Sequence, residues 1–291
     1  MKPARVVGMV ASLLFLAPDA HAEVLPDAPK VGDTYEITMT SDSSQQGSNG
    51  SSASSHDKDT VIERVTGLRA DGLELEYDLP KSSTADEKAS NWQFPARVFK
   101  PLRGPVELLN GAELETRLDG WLKAARWSRA VCGHWIFTWY AFRIECDPRS
   151  VIKTIDAFDL RSAELREGAA YHDTGARAPG KLVRQASGRD GAIFTVEMPV
   201  DPDTVRRAHA ESDVATGEIL NKPLTLDAAL QARAKENVTG TISIVFETGQ
   251  HGNLLRRTKV TKLKITKVDG SSETDNTTQI LERRLITGTA K

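Results

Sequence analysis

The sequence predicts an α+β fold: a strongly curved antiparallel β-sheet, with N- and C-terminal three-stranded meanders plus a central hairpin, and α-helices interposed between them. Three observations carry that expectation. Apolar and polar residues alternate with period two near both ends of the chain, the period becomes helical between them, and Gly/Asp/Asn-rich turns punctuate the alternating stretches.

In the first meander, Tyr35, Ile37 and Met39 alternate with Glu36, Thr38 and Thr40. The Ser/Gly/Gln/Asn run at about 42–57 offers almost nothing to bury, so it reads as a disordered or mobile hairpin loop. Extended structure resumes over Asp59–Leu68. Ala70-Asp71-Gly72 marks a turn, and Leu73, Leu75, Tyr77 and Leu79 alternate with acids.

Asn110, with Glu113 three residues on, resembles a capping box ahead of Leu114, Leu118 and Leu122. Asp147-Pro148 and Asp201-Pro202 each offer an N-cap followed by proline, the second opening a helix over Thr204–Ala210, and Thr225 caps an Ala-rich segment to Lys235. Lys181–Gln185 and Ala192–Met198 form the central hairpin. The last meander uses Ile242, Ile244 and Phe246, then Leu255–Val268 and Thr277–Ile286, with a polar turn over Asp269–Asn276. The two meanders are compatible with one sheet, and the pattern leaves open whether they pair directly.

Residues 1–22 read as a cleavable export signal: basic Lys2 and Arg5, an apolar run from Val6 to Ala17, and Ala20-His21-Ala22 before the cut. Cleavage after Ala22 leaves residues 23–291 as a single α+β domain, expected in the periplasm. The apolar run is far shorter than the roughly 20 residues a bilayer span needs, so no transmembrane segment is expected. Removing Lys2, Arg5 and Asp19 from 38 basic and 40 acidic residues leaves 36 and 39, a net charge of −3. That balance argues against a nucleic-acid partner, which calls for a basic footprint.

Cys132 and Cys146 are the only cysteines, and in an oxidising compartment they read as one disulfide. The same segment carries a helical stripe, Cys132, Trp135, Trp139, Phe142 and Cys146. The two readings exclude each other: fourteen helical residues rise about 21 Å, whereas bonded cysteines hold their Cα atoms roughly 4.4–6.8 Å apart. The bridged form, with the chain doubling back, is the favoured one. The aromatics of this segment read first as core. Their functional alternative is that Trp135, Phe137, Trp139 and Phe142 line a pocket for an apolar ligand.

No nucleophile elbow, phosphate loop, dinucleotide fingerprint or zinc motif is present, and the histidines lack ligand spacing, so no catalytic residue, cofactor or metal is assigned. A basic patch is expected on the C-terminal strand from Arg256, Arg257, Lys262 and Lys264, with Glu282 as a cross-strand partner. The order of elements resembles, in architecture, the periplasmic half-barrels that carry lipids and lipoproteins. The aromatic cluster and the alternating strands carry the expected function: non-enzymatic binding, in the sheet concavity, of an apolar or amphipathic, lipid-like ligand or of an envelope protein. The alternatives are a structural or assembly factor of the envelope, and below it a hydrolase without a familiar motif.

Overall fold

A computed structural model describes residues 29–137, 141–160, 165–188 and 191–286. The first meander is β1 (Thr34–Gly47), β2 (Ser52–Arg69) and β3 (Gly72–Asp78). After helix α1 (Ala85–Ser90) come β4 (Ala96–Pro101), β5 (Glu107–Leu108) and helix α2 (Gly111–Ala124). A small hairpin, β6 (Trp135–Phe137) and β7 (Ala141–Arg143), precedes helix α3 (Ser150–Ala157) and two short strands, β8 (Ala170–Tyr171) and β9 (Gly180–Lys181). The central hairpin, β10 (Val183–Gly188) and β11 (Gly191–Pro199), leads into helices α4 (Pro202–Ile219) and α5 (Leu226–Arg233). The last meander is β12 (Asn237–Thr248), β13 (Leu254–Thr266) and β14 (Ser272–Leu285).

Ten of these strands form one open antiparallel sheet in the order β10-β11-β12-β13-β14-β1-β2-β3-β4-β5. The meanders join directly. β1 pairs with β14 from Tyr35↔Leu285 to Gly47↔Glu273, so the first and last strands lie side by side at the centre of the sheet.

The loop expected at 42–57 is instead paired strand. Asp42 lies opposite His56 on β2 and Thr278 on β14, and only residues 48–51 turn, closed by Gly47 N donating to Ser51 O at 2.8 Å. The physical reason is that β1 is flanked on both sides, so its backbone groups find partners whatever its side chains are. Ser43 and Ser55 add a hydroxyl–hydroxyl contact of 2.9 Å. The polar turn at 269–276 shortens for the same reason, because β14 already starts at Ser272.

Helix starts follow their capping chemistry with two departures. Asp201 accepts from Asp203 N at 3.2 Å and Thr225 from Ala228 N at 3.3 Å, as N-caps should. α4 then continues to Ile219, well beyond Ala210. Asn110 sits at the N-cap of α2 but makes no side-chain cap bond to the helix backbone: it accepts from Arg97 N at 2.8 Å and donates to Pro95 O at 3.1 Å, tying α2 to β4, and its amide also donates to the Glu113 carboxylate at 3.2 Å. Asp147 caps a turn at Arg149 N, and α3 begins only at Ser150.

The inner face of the sheet carries two apolar clusters. In the first, Ile37, Val61, Val65, Leu75, Val98 and Leu281 pack with the α2 leucines 114, 118 and 122 and with Val151 and Ile155 of α3. In the second, Phe194, Val196, Met198, Ile242, Ile244 and Phe246 lie under Ala176, Leu182 and Val200. Leu254, partly buried, packs against both. α4 and α5 are held together by Arg233 on Asp213 at 2.6 and 2.8 Å, and α4 is tied to the start of β12 by Arg206 donating to Glu236 O at 2.9 and 3.2 Å.

A buried ion pair lies within the first cluster. Arg283 of β14 meets Glu63 of β2 at 2.9 Å, with side chains 9% and 3% exposed. Tyr77 Oη donates to the other Glu63 oxygen at 2.8 Å, and the Arg283 guanidinium stacks over the Tyr35 ring at 3.3 Å.

Candidate functional site: the inner face of the central strands

The segment between the cysteines doubles back. Cys132 and Cys146 have their sulfurs 2.07 Å apart and their Cα atoms 5.5 Å apart. Gly133 N donates to Ile144 O and Ile144 N to His134 O, and β6 pairs with β7 at Trp135↔Arg143 and Ile136↔Phe142. The helical stripe is therefore coincidental: in a hairpin neighbouring positions alternate faces, so Trp135 and Phe142 project from opposite sides and do not line one cavity. Both are half-buried. Trp139 and the Phe137 side chain lie outside the described residues.

The hairpin is fastened to the end of α4. Glu218 accepts from Trp135 N at 3.2 Å and meets His134 Nδ1 at 2.9 Å, contacts that hold the Glu218 carboxyl below its usual range, with the His134 hydrogen bond the larger cause.

The expected basic patch is divided between the two faces of the sheet. A bulge between Glu247 and Thr248 sets the phase of β13. From there Arg256, Lys262 and Lys264 face outward, while Arg257 faces inward in phase with Leu263 and Ile265. Arg256 stands between Glu247, 3.6 Å away, and Glu282, 3.4 Å away, so its charge is largely answered on the sheet. Lys262 and Lys264 are exposed. The corrected picture is an outer face of mixed charge and a separate inward pair, Arg257 with its strand neighbour Lys259.

That inward pair belongs to the feature sequence reasoning missed. Reading directly paired residues across the inner face gives the rows Phe194-Phe246-Arg257-Leu281-Met39-Asp59, Val196-Ile244-Lys259-Gln279-Ser41-Asp57 and Met198-Ile242-Thr261-Thr277-Ser43-Ser55. Each row is apolar and buried on β11 and β12. From β13 to β2 the rows turn largely polar, with most side chains half-exposed, Leu281 being the buried exception. Strands stand about 4.8 Å apart, so the polar stretch from Lys259 to Asp57 spans roughly 14 Å.

The basic rim is organised by the loop between β8 and β9. Asp173, little exposed, holds Lys259 Nζ at 2.8 and 2.9 Å and accepts from Gly175 N at 2.9 Å. Tyr171 packs edge-on against Phe246 with ring centroids 5.1 Å apart and hydrogen-bonds Arg257. Burial pushes the Tyr171 phenol up, against the opposing pull of Arg257. At the boundary with the first cluster, Gln279 Nε2 rests on Met39 Sδ at 3.3 Å.

The signal that could have found this strip is parity. Arg257, Lys259 and Thr261 share phase with Leu263 and Ile265, so they had to lie on the core side of the sheet. Asp173 had no such signal, because only the fold carries its loop to β13. Among the described residues no group of three or more His, Cys, Asp or Glu could hold a metal ion, and no helix is long and apolar enough to cross a membrane.

No protein-family model and no curated protein matches the chain. Among solved structures, a lipovitellin structure whose subject is lipid–protein interactions superposes with a TM-score of 0.42 at 9% identity, covering 90% of this chain and 26% of that one. The chain thus spans about a quarter of the lipovitellin chain. The dehydratase domain from the CurF module of curacin polyketide synthase matches with a TM-score of 0.14 at 11% identity, over 86% of this chain and 76% of that one. A GphF DH1 variant, described as isomerase-inactive, matches with a TM-score of 0.12 at 9% identity over 88% and 77%. These likenesses are too distant to carry an argument about fold or function, which rest here on the geometry.

Proposed function

We propose that the protein is a non-enzymatic, exported binding protein of the periplasm that holds an amphipathic ligand on the inner face of its open sheet. The observation that carries the reading is the change of character along the three inner rows. A surface on the core side of a sheet is ordinarily apolar and covered, yet the positions on β13, β14 and β1 offer Lys259, Gln279, Thr261, Thr277 and Ser41 at half exposure.

The polar part of a ligand would lie along these hydroxyl, amide and ammonium groups. Its apolar part would enter the seam beside them, where Met39 and Leu254 are only partly buried and Leu254 touches both clusters. Such a division suits an amphiphile better than a wholly apolar molecule, for which a dry, enclosed cavity is the usual host.

The test is native mass spectrometry of the mature protein purified from its own compartment, with a Thr277→Trp variant alongside. An excess mass that leaves on denaturation, and is absent from the variant, is the expected result. A bare mass in the wild-type protein, together with no saturable binding of a dansyl-labelled undecanoate probe, would overturn the proposal.

A further inference from the structure

Beyond ligand binding on the inner face, we infer that the β5 edge of the sheet accepts an extended segment of another protein as an added strand, one in which apolar and basic residues alternate. The two edges of the ten-stranded sheet are treated differently. Where the chain enters β10 the preceding segment lies along the edge: at Leu182, just before the strand, N donates to Ala169 O at 2.9 Å and O accepts from Gly168 N at 2.8 Å, and within the strand Arg184 N is taken by the Glu167 carboxylate. At β5 the strand is the last in order.

Its hydrogen-bonding phase is set by Leu109 N donating to Arg97 O at 2.8 Å. In an antiparallel ladder the next pair along, Val98↔Leu108, is then a non-hydrogen-bonded one, so the N–H and C=O of Leu108 point away from β4 toward the open edge. Among the described residues no partner meets them, and strand groups left open in this way are a template for strand addition.

Alongside that edge runs an open groove of about 1200 Å3, between the start of α2 and α3. Its lining supplies both halves of the proposed chemistry. Leu108, on the core side with Val98, continues into Pro148 and Ile152, whereas Glu107 lies on the opposite face with Phe99. An added strand therefore meets apolar surface with every second side chain and Glu107 with the alternate ones. Four carboxylates line the groove, Glu107, Glu115, Asp147 and Asp156, against two cations, Arg149 and Lys153, and of the four Glu115 is already met by Arg129 at 2.5 Å.

The probe is a fluorescein-labelled ten-residue peptide of alternating valine and lysine, titrated with the full mature protein by fluorescence anisotropy at low and moderate salt. Three comparisons accompany it: the same peptide N-methylated at every second residue, a valine–glutamate peptide, and an Ala112→Arg variant that fills the groove from an exposed helix position. The expected result is saturable binding, weakened at least tenfold by N-methylation, by charge reversal and by the variant, with the variant's unfolding temperature unchanged. Absent binding would overturn the inference. So would equal affinity for the N-methylated or the valine–glutamate peptide, or for the folded variant.

Discussion

Replacing Glu63 by glutamine tests whether the central sheet depends on its buried ion pair. The change keeps shape and hydrogen-bonding capacity but leaves the Arg283 guanidinium, whose side chain is 9% exposed, without its counter-charge. Removing one partner of a buried pair costs about 3–5 kcal/mol, since the remaining charge stays desolvated. The amide oxygen can still accept from Tyr77, and the Tyr35 ring still stabilises the cation, so the lower end, about 3 kcal/mol, is expected. For a domain of this size that corresponds to a fall in unfolding temperature of roughly 6–12 °C. Urea and thermal denaturation followed by circular dichroism at pH 7 measure it. The Glu63→Leu/Arg283→Leu double variant should recover much of the loss, because it removes both desolvated charges. A loss below about 1 kcal/mol in the single variant would refute the reasoning, since it would mean that water already solvates the pair.

Other perturbations have equally definite outcomes. Reducing the Cys132–Cys146 bridge opens a loop of about fifteen residues and should cost about 3 kcal/mol in the chain-entropy model, read as a lower unfolding temperature in dithiothreitol that is absent from a Cys132→Ala/Cys146→Ala variant. The Asp213 carboxyl is held below its ordinary range, chiefly by its hydrogen bonds from Arg233. Its folded value being depressed, the stability it contributes is present above about pH 4 and is lost as pH falls through the folded value. The gap in urea midpoint between wild type and Asp213→Asn should therefore narrow between pH 7 and pH 3. Gly191 adopts φ +131°, and a Cβ there would lie 1.9 Å from Thr248 O, so Gly191→Ala should destabilise by at least about 2 kcal/mol in urea unfolding.

Much of this fold was legible because its strands alternate. Tyr35, Ile37 and Met39, or Ile242, Ile244 and Phe246, mark an inner face by period alone, and turn residues limit the choice of hairpins. The polar stretch at 42–57 was misread for a physical reason: strand propensity reports side-chain packing, whereas β1 is stabilised there by backbone bonds to both β2 and β14. Between the cysteines, spacing could not choose between a helical stripe and a bridge, because three- and four-residue steps also fall on both faces of a short hairpin. Helix α1 was missed although Thr84 and Glu87 form its capping box, since six residues without a buried one leave no periodic signal.

By itself the sequence determined the fold class, the strands that alternate, the helix caps at Asp201 and Thr225, and the one available cysteine pair. These are local properties, written within a few residues of one another. Only the tertiary structure decided that the two meanders meet through β1 and β14, that Glu63 finds Arg283, and that Asp173 reaches Lys259, because each contact joins residues dozens to hundreds of positions apart. The inner strip arises the same way. Its phase was present in the strands, but which of its side chains remain uncovered depends on where the helices and loops come to rest.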